Sequence, residues 1–318
     1  MTEPRAVPQL VRDTALSYGA SGCEWLDGLD GTIEDLEREW GITVGAAYTG
    51  GTASYVAPAT LADGTTAVVK LAMPAFEGQG DLSSEIETLE LAGGHGCARL
   101  LRHDLDRRAL LLEHLGRQLH DLGLPVRAQL EIICATLPRL WSVGATGARL
   151  PSLADKGRWL GEFIGRLWEE LDHPCSTAVV ERALSFVEIR LERHDDERAV
   201  VLHGDAHPWN TLEEFSDRGA NTFKFVDPDG LIGEREYDLA IPMRELNDEL
   251  LAGDPLQLGL ERCHLLARRT DTDADAIWQW GMVERVSSGL LLCKEGHEQM
   301  ARDFLQVAET WASQSSAS

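Results

Sequence analysis

Eight consecutive residues, His203-Gly204-Asp205-Ala206-His207-Pro208-Trp209-Asn210, gather the side chains of a group-transfer site into one short stretch. Asn210 follows Asp205 by five residues, and Asp227 stands seventeen beyond Asn210. That set suits phosphoryl transfer, in which one carboxylate orients a hydroxyl while an amide oxygen and a second carboxylate hold magnesium. The same loop admits a rival reading. His203, Asp205 and His207 alternate like metal ligands, as in a metallohydrolase, but such sites draw on further histidines nearby. The other histidines are dispersed, and this reading leaves Asn210 and Asp227 without a task.

The loop needs elements to position it. The apolar run Ala199–Leu202 leads into it, and a second run, Phe223-Lys224-Phe225-Val226, delivers Asp227. Upstream, period-two patterning predicts strands over Ile42–Tyr48, Tyr55–Leu61 and Thr66–Met73, with a hairpin turn at Asp63-Gly64. Lys70 ends the apolar strand Ala67-Val68-Val69, where a strongly hydrated ammonium is unusual. A helix from Asp81 follows, with Leu82, Ile86 and Leu89 on one face and Gly93-Gly94 as its stop. It carries two candidate ion-pair partners for Lys70, Glu85 as the better placed and Glu87 as the runner-up, at a large angle to Glu85 on the helix. Further strands are predicted over Arg99–Arg102 and Ala109–Leu115. Then come helices over Val126–Trp141, Lys156–Leu171 and Val179–Leu191, and again from Tyr237 onward. Trp159, Phe163, Trp168 and Leu171 share a stripe that reads as core. Strands come first and helices after, an α+β arrangement rather than a doubly wound sheet.

The loop resembles that of the kinase-like antibiotic phosphotransferases, H-G-D-x-H-x-x-N. The stretch Val226-Asp227-Pro228-Asp229-Gly230-Leu231-Ile232-Gly233-Glu234-Arg235-Glu236-Tyr237-Asp238-Leu239 resembles the I-D-P-[KED]-x-x-x-G-[DE]-x-x-x-D-L pattern of the streptomycin and hydroxyurea phosphotransferases. The chain is therefore identified as a member of the aminoglycoside phosphotransferase family, closest to that group. Ala206 and Trp209 depart from the family's usual leucine and glycine or glutamate. The resemblance implies a two-lobed, protein-kinase-like fold. Residues 1–115 would form a small antiparallel-sheet, nucleotide-binding lobe with an N-terminal helical extension, and 116–318 a larger, mainly helical catalytic and acceptor-binding lobe. It implies that Asp205 receives the acceptor hydroxyl and that Asn210 and Asp227 bind Mg²⁺. Lys70, paired with Glu85, would reach the phosphates of ATP (or GTP). The small-residue turn Gly50-Gly51-Thr52-Ala53-Ser54 would cover them, as neither a Walker A loop nor G-x-G-x-x-G. Glu113 and Leu115 would meet the adenine edge through backbone atoms, and His203 and His207 would shape the loop. Asp238 reads as a structural anion at a helix N-terminus.

Bulk composition bounds the partners. Hydrophobic residues at 43% and charged residues at 26% are ordinary for a globular protein, but a net charge of −24 is not. It argues against nucleic acid and anionic membranes and is compatible with a cationic small-molecule acceptor. Between Asp229 and Glu261 there are nine carboxylates and two arginines, so Asp229, Glu236, Glu245 and Asp248 are candidate acceptor contacts. Trp278 and Trp280, near Glu284, could line the same pocket, although such spacing also suits a core. Only four basic residues are lysines, Lys70, Lys156, Lys224 and Lys294, which gives the place of each some interest. The six cysteines form no Cys-x-x-Cys pair, and neither an apolar leader nor a run of ~20 apolar residues is evident. A cytoplasmic enzyme is the expectation, phosphorylating an antibiotic as resistance or self-protection. A hydroxyurea phosphotransferase, a sugar or amino-alcohol kinase and a non-catalytic kinase-like binding protein are the alternatives. The sequence leaves the oligomeric state open.

Overall fold

A computed structural model describes residues 5–49, 53–74, 81–215, 222–314 and 316–317. Two helices, α1 (Gln9–Ser17) and α2 (Ala20–Trp40), precede the strands β1 (Ile42–Val44), β2 (Ser54–Leu61) and β3 (Thr66–Ala72). Then follow α3 (Leu82–Ala92), β4 (Leu100–Asp104) and β5 (Ala109–Glu113). The strands form one antiparallel sheet in the order β1-β2-β3-β5-β4. Period-two alternation divides its side chains between two faces. Val69, Leu71, Tyr55, Ala57 and Leu111 pack under Leu29, Ile33 and Leu36 of α2. Ala72, Leu110 and Leu112 instead join the core that includes Leu82, Ile86 and Leu89 of α3. Lys70, one residue out of step with Val69 and Leu71, therefore faces the same side as α3.

Gly28 and Gly31 lie inside α2, which runs unbroken because its apolar stripe is anchored on the sheet. Some boundaries differ from the sequence reading. The first strand stops at Val44 instead of Tyr48. Beyond it Gly45 lies opposite Pro58 and donates to its carbonyl at 2.8 Å; proline has no N–H to return the bond, so the ladder ends. The strand expected to reach Leu115 stops at Glu113, where the chain leaves the sheet.

The remainder is mainly helical: α4 (Val126–Trp141), α5 (Leu153–Glu170), α6 (Thr177–Glu192), α7 (Glu236–Arg244), α8 (Asn247–Leu251), α9 (Pro255–Thr270), α10 (Ala274–Lys294) and α11 (Glu298–Trp311). From Ala276 to Leu290 every residue of α10 except Ser288 is buried, so this helix is enclosed on all sides and central. Four short strands interrupt the helices: β6 (Val200–Leu202), β7 (Thr211–Glu214), β8 (Thr222–Phe225) and β9 (Leu231–Gly233). They pair as β6–β9, with Leu202 opposite Leu231, and as β7–β8, with Thr211 opposite Phe225. Those two registers lay the 203–210 and 226–230 loops side by side. The fold is the α+β arrangement that the order of elements implied, in the two-lobed, kinase-like form that the resemblance implied.

Candidate active site

The 203–210 loop is held through its backbone. Asp238, in the first turn of α7, is fully buried and accepts from the N–H groups of His203 (3.1 Å) and Gly204 (2.7 Å) and from the Trp141 indole (2.8 Å). It is more than a helix-terminus anion: it is the acceptor around which the loop is folded. Gly204 has φ +84, and a Cβ there would come within 2.9 Å of the Asp229 Cβ, so a larger residue is excluded twice over. The buried His203 ring accepts from Asp205 N–H at Nδ1 (3.1 Å) and donates from Nε2 to Val226 O (3.0 Å), tying the two loops together. Burial, against the pull of Asp205, pushes its pKa down to about 4. With both ring nitrogens occupied, His203 is no metal ligand, and the metallohydrolase reading loses its first residue.

Removing the Asp238 carboxylate strands three buried donors. Asp238→Ala is expected to cost about 3 kcal/mol of folding stability, measured by denaturant unfolding. A midpoint unchanged from the parent would refute this account of the loop.

Asp205 lies at the floor of the cleft with its side chain 28% exposed. Its Oδ2 meets His207 Nε2 (3.1 Å) and Asn210 Nδ2 (3.2 Å), and its Oδ1 accepts from Arg244 Nη2 (2.7 Å). Burial opposes charge here, but His207 and Arg244 hold the carboxyl well below the usual range. Asn210 Nδ2 also donates to Asp205 O (3.1 Å), and Asn210 O accepts from Val226 N–H (2.9 Å).

Lys70 Nζ donates to both carboxylate oxygens of Glu85 at 2.7 Å and to Asp227 Oδ1 at 3.0 Å. Burial alone would lower its pKa, but Asp227 and Glu85 outweigh it and keep the ammonium charged. This triad joins β3, α3 and the 226–230 loop. The joint is tight at Gly230 (φ +73), where a Cβ would meet Thr88 Oγ1 at 2.3 Å and Ser84 O at 2.6 Å on α3. Glu87, the other candidate partner, instead accepts from Arg149 N–H.

These groups open onto a single cleft of about 1660 Å³ between the lobes, larger than the ~300–1,000 Å³ typical for one small ligand. Val56, Val68 and Leu112 line its sheet side with Ala53 and Ser54, and Leu115 and Val226 line it beyond the sheet; Gly50, Gly51 and Thr52 lie outside the described residues. Glu113 reaches the cleft, but its carboxylate is engaged by Lys224 Nζ (2.5 Å) and Arg99 N–H (2.6 Å). Its side chain therefore braces the crossing between lobes.

On the helical side the cleft is lined by Asp229, Glu245, Asp248, Glu249, Glu284 and Asp303. Burial, with Asp205 and Glu284 adding to it and Lys156 opposing, pushes Asp229 up to about 6. Glu236 does not join them. It is buried at the far end of α7, accepting from Asp273 N–H at 3.1 Å, because Asp238 two residues on faces the loop and turns Glu236 toward α10. Trp278 and Trp280 are likewise core: Trp278 packs on Trp311, and Trp280 on Tyr237 with its indole donating to Glu234. The stripe read as core on α5 is divided, since Trp159 is half-buried and faces the cleft, stacked on Phe163 at 4.7 Å.

Sequence reasoning did not find Arg244, Lys156 or Trp159. For Arg244 the only signal was an arginine ending the apolar run Leu239–Met243; for Lys156 it was the scarcity of lysines.

The residues present fit a hard divalent cation. Asp227 offers a carboxylate with its side chain 48% exposed toward the cleft. The Asn210 amide turns its nitrogen to Asp205, leaving its oxygen as the donor on the other side. Two protein oxygens suit an ion that completes its shell with phosphate and water. Among the described residues no group of three or more His, Cys, Asp or Glu could hold a metal, as a closed all-protein site would need.

Residues 39–296 match the family model described as aminoglycoside/hydroxyurea antibiotic resistance kinase. The chain is similar to a hydroxyurea phosphotransferase from Kitasatospora aureofaciens, 33% identical over 65% of this chain and 63% of that protein's length. It is also similar to a streptomycin 6-kinase from Streptomyces glaucescens, 30% identical over 76% of each chain. Among solved structures, choline kinase LicA from Streptococcus pneumoniae shares the fold. Its TM-score is 0.60 at 16% identity, over 90% of this chain and 99% of that one.

Proposed function

The chain belongs to the aminoglycoside/hydroxyurea antibiotic resistance kinase family, and from that premise we propose that it transfers the γ-phosphoryl group of ATP (or GTP) to a hydroxyl of a cationic, streptomycin-like aminoglycoside. The observation that carries this reading is the position of Asp205. It stands between the Lys70–Asp227–Asn210 group and a wall of carboxylates. Lys70 binds the nucleotide phosphates and Glu85 fixes its ammonium. The acceptor hydroxyl donates a hydrogen bond to Asp205, which orients its oxygen in line with the γ-phosphorus. The new O–P bond forms as the bond to the departing nucleoside diphosphate breaks, and the hydroxyl proton passes to Asp205. His207, Asn210 and Arg244 all donate to Asp205 and keep it a carboxylate, so it acts first by orientation. Bound Mg²⁺ supplies charge neutralisation at the phosphate oxygens, and Asn210 and Asp227 are the residues that would hold it.

Two features favour a large cation over hydroxyurea as the acceptor. The cleft volume exceeds what a nucleotide and a very small second substrate require, and of the six carboxylates on its helical side Arg244 pairs with Glu245 and Glu284 and Arg262 with Glu249, which leaves Asp229, Asp248 and Asp303 facing the cleft with no described ion pair. Asp229 and Asp248 remain the candidate contacts; Glu245 lines the cleft but is held by Arg244, and Glu236 does not reach it. We take the lobe boundary to lie near residue 115, just after β5 ends at Glu113. No described helix is long and apolar enough to cross a membrane, and six free cysteines fit a reducing cytoplasm.

A coupled ADP-release screen over aminoglycosides, hydroxyurea and amino sugars tests the acceptor. Turnover on streptomycin-like compounds, with a phosphorylated product by mass spectrometry, is the expected result. Turnover confined to hydroxyurea or a neutral sugar would overturn the cationic assignment.

A further inference from the structure

We propose that Arg244 is a positioning residue for phosphoryl transfer, selecting which oxygen of Asp205 receives the acceptor hydroxyl. The inference rests on the phosphotransfer reading of Asp205 and extends it. An ionised carboxylate offers about four lone-pair sites. Two on Oδ2 are taken by His207 Nε2 and Asn210 Nδ2 at 3.1 and 3.2 Å, and one on Oδ1 by Arg244 Nη2 at 2.7 Å. The remaining site is the second lone pair of Oδ1. The attacking hydroxyl therefore docks beside the guanidinium, on the oxygen that Arg244 fixes.

The rest of the structure is built to hold this guanidinium still. All three of its nitrogens are used: Nε to Glu245 Oε1 (2.7 Å), Nη1 to Glu284 Oε2 (3.2 Å) and Nη2 to Asp205. A flat fork engaging three carboxylates has one orientation, which a lysine's single ammonium cannot reproduce. Its backbone is anchored as firmly. Arg244 ends α7, where carbonyls lack helical partners, and two buried arginines supply them. Arg285 Nη2 donates to Met243 O (2.6 Å) and Arg244 O (3.1 Å), while Arg262 Nη1 donates to Pro242 O (3.0 Å) and Glu245 O (2.7 Å). Arg285 is fully buried and its described hydrogen bonds go to carbonyl and amide oxygens, none to a carboxylate. Burial lowers its pKa well below the usual arginine value. A desolvated guanidinium is costly, and here it is spent on the helix end that carries Arg244.

A charge-neutralising role alone would make Arg244 a matter of folding. A positioning role makes it a matter of kcat, exerted through Asp205. The test measures ADP release with streptomycin, and ATP-analogue affinity, for Arg244→Gln, Arg244→Lys, Asp205→Asn and the Arg244→Gln/Asp205→Asn double variant. Arg244→Gln is expected to lower kcat roughly a hundredfold, the scale of a misplaced reacting group, with nucleotide affinity unchanged. Arg244→Lys is expected to recover only part of that. In the Asp205→Asn background Arg244→Gln should have no further effect, since residues acting as one unit are not additive. If Asp205→Asn is inactive but Arg244→Gln keeps the parent kcat, or the two losses multiply, the positioning role is wrong. If Asp205→Asn itself keeps full turnover, the phosphotransfer reading of Asp205 fails instead. Should Arg244→Gln not fold, Arg244→Lys decides: a lower kcat at unchanged nucleotide affinity supports the role, and parent kcat overturns it.

Discussion

Asp205→Ala is expected to lower turnover by about a thousandfold, within the range a positioned acid–base group supplies, while ATP-analogue affinity stays close to that of the parent. The separation follows from the geometry. Asp205 contacts Arg244, His207 and Asn210, whereas Lys70 and its partners Glu85 and Asp227 make their ion pairs without it. Removing the carboxylate leaves the phosphate side standing and deletes the group that orients the acceptor. It also leaves Arg244 with two carboxylates instead of three, so Asp205→Asn, which keeps the side-chain shape, is the companion variant. Steady-state kinetics with a direct nucleotide-binding titration checks both halves. Turnover within tenfold of the parent would remove Asp205 from the mechanism.

The second large effect belongs to Asp227. Its backbone adopts the left-handed conformation, φ +58, which aspartate and asparagine tolerate better than alanine. Asp227→Asn therefore isolates the loss of charge better than Asp227→Ala does. With Mg²⁺ present, nucleotide affinity is expected to fall by at least roughly a hundredfold, the upper end of the cost of losing even an outer partner of a bound metal. Without Mg²⁺ the two proteins should differ little, because Lys70 retains Glu85. Titration of a fluorescent ATP analogue across Mg²⁺ concentrations measures this difference directly. A Mg²⁺-dependent gain equal to the parent's would rule out the metal role.

The two variants contrast what each residue is held by. Asp205 is fixed by side chains of its own lobe, from β7's approach and from α7, and Asp227 by a lysine from the sheet. The same difference explains how much of the site was legible in advance. Lys70, Glu85, Asp205, Asn210 and Asp227 sit in local patterns of strand, turn and helix that the resemblance picked out, and the structure brings all five to one cleft. Glu236 and Glu245 looked equivalent in an acidic stretch, yet they lie at opposite ends of α7. One is buried against the start of α10 and the other faces the cleft beside Arg244. Periodicity could not separate them, because α7 is buried on nearly all sides and shows no polar face to read.

By itself, then, the sequence determined the order of strand-rich and helical parts, the apolar periods that build the sheet and helices, and the candidate site residues that stand in short motifs. Tertiary structure alone decided how those residues are held and what faces them. Arg244 reaches Asp205 across thirty-nine positions, Asp238 gathers the loop from thirty-five away, and Lys70 meets Asp227 over 157. Trp159 faces the cleft while Trp278 and Trp280 do not. The physical reason is that a helical or strand period records only whether a side chain is buried. Which distant carboxylate, carbonyl or ring satisfies a buried polar group depends on helix packing, and that is a property of the whole fold.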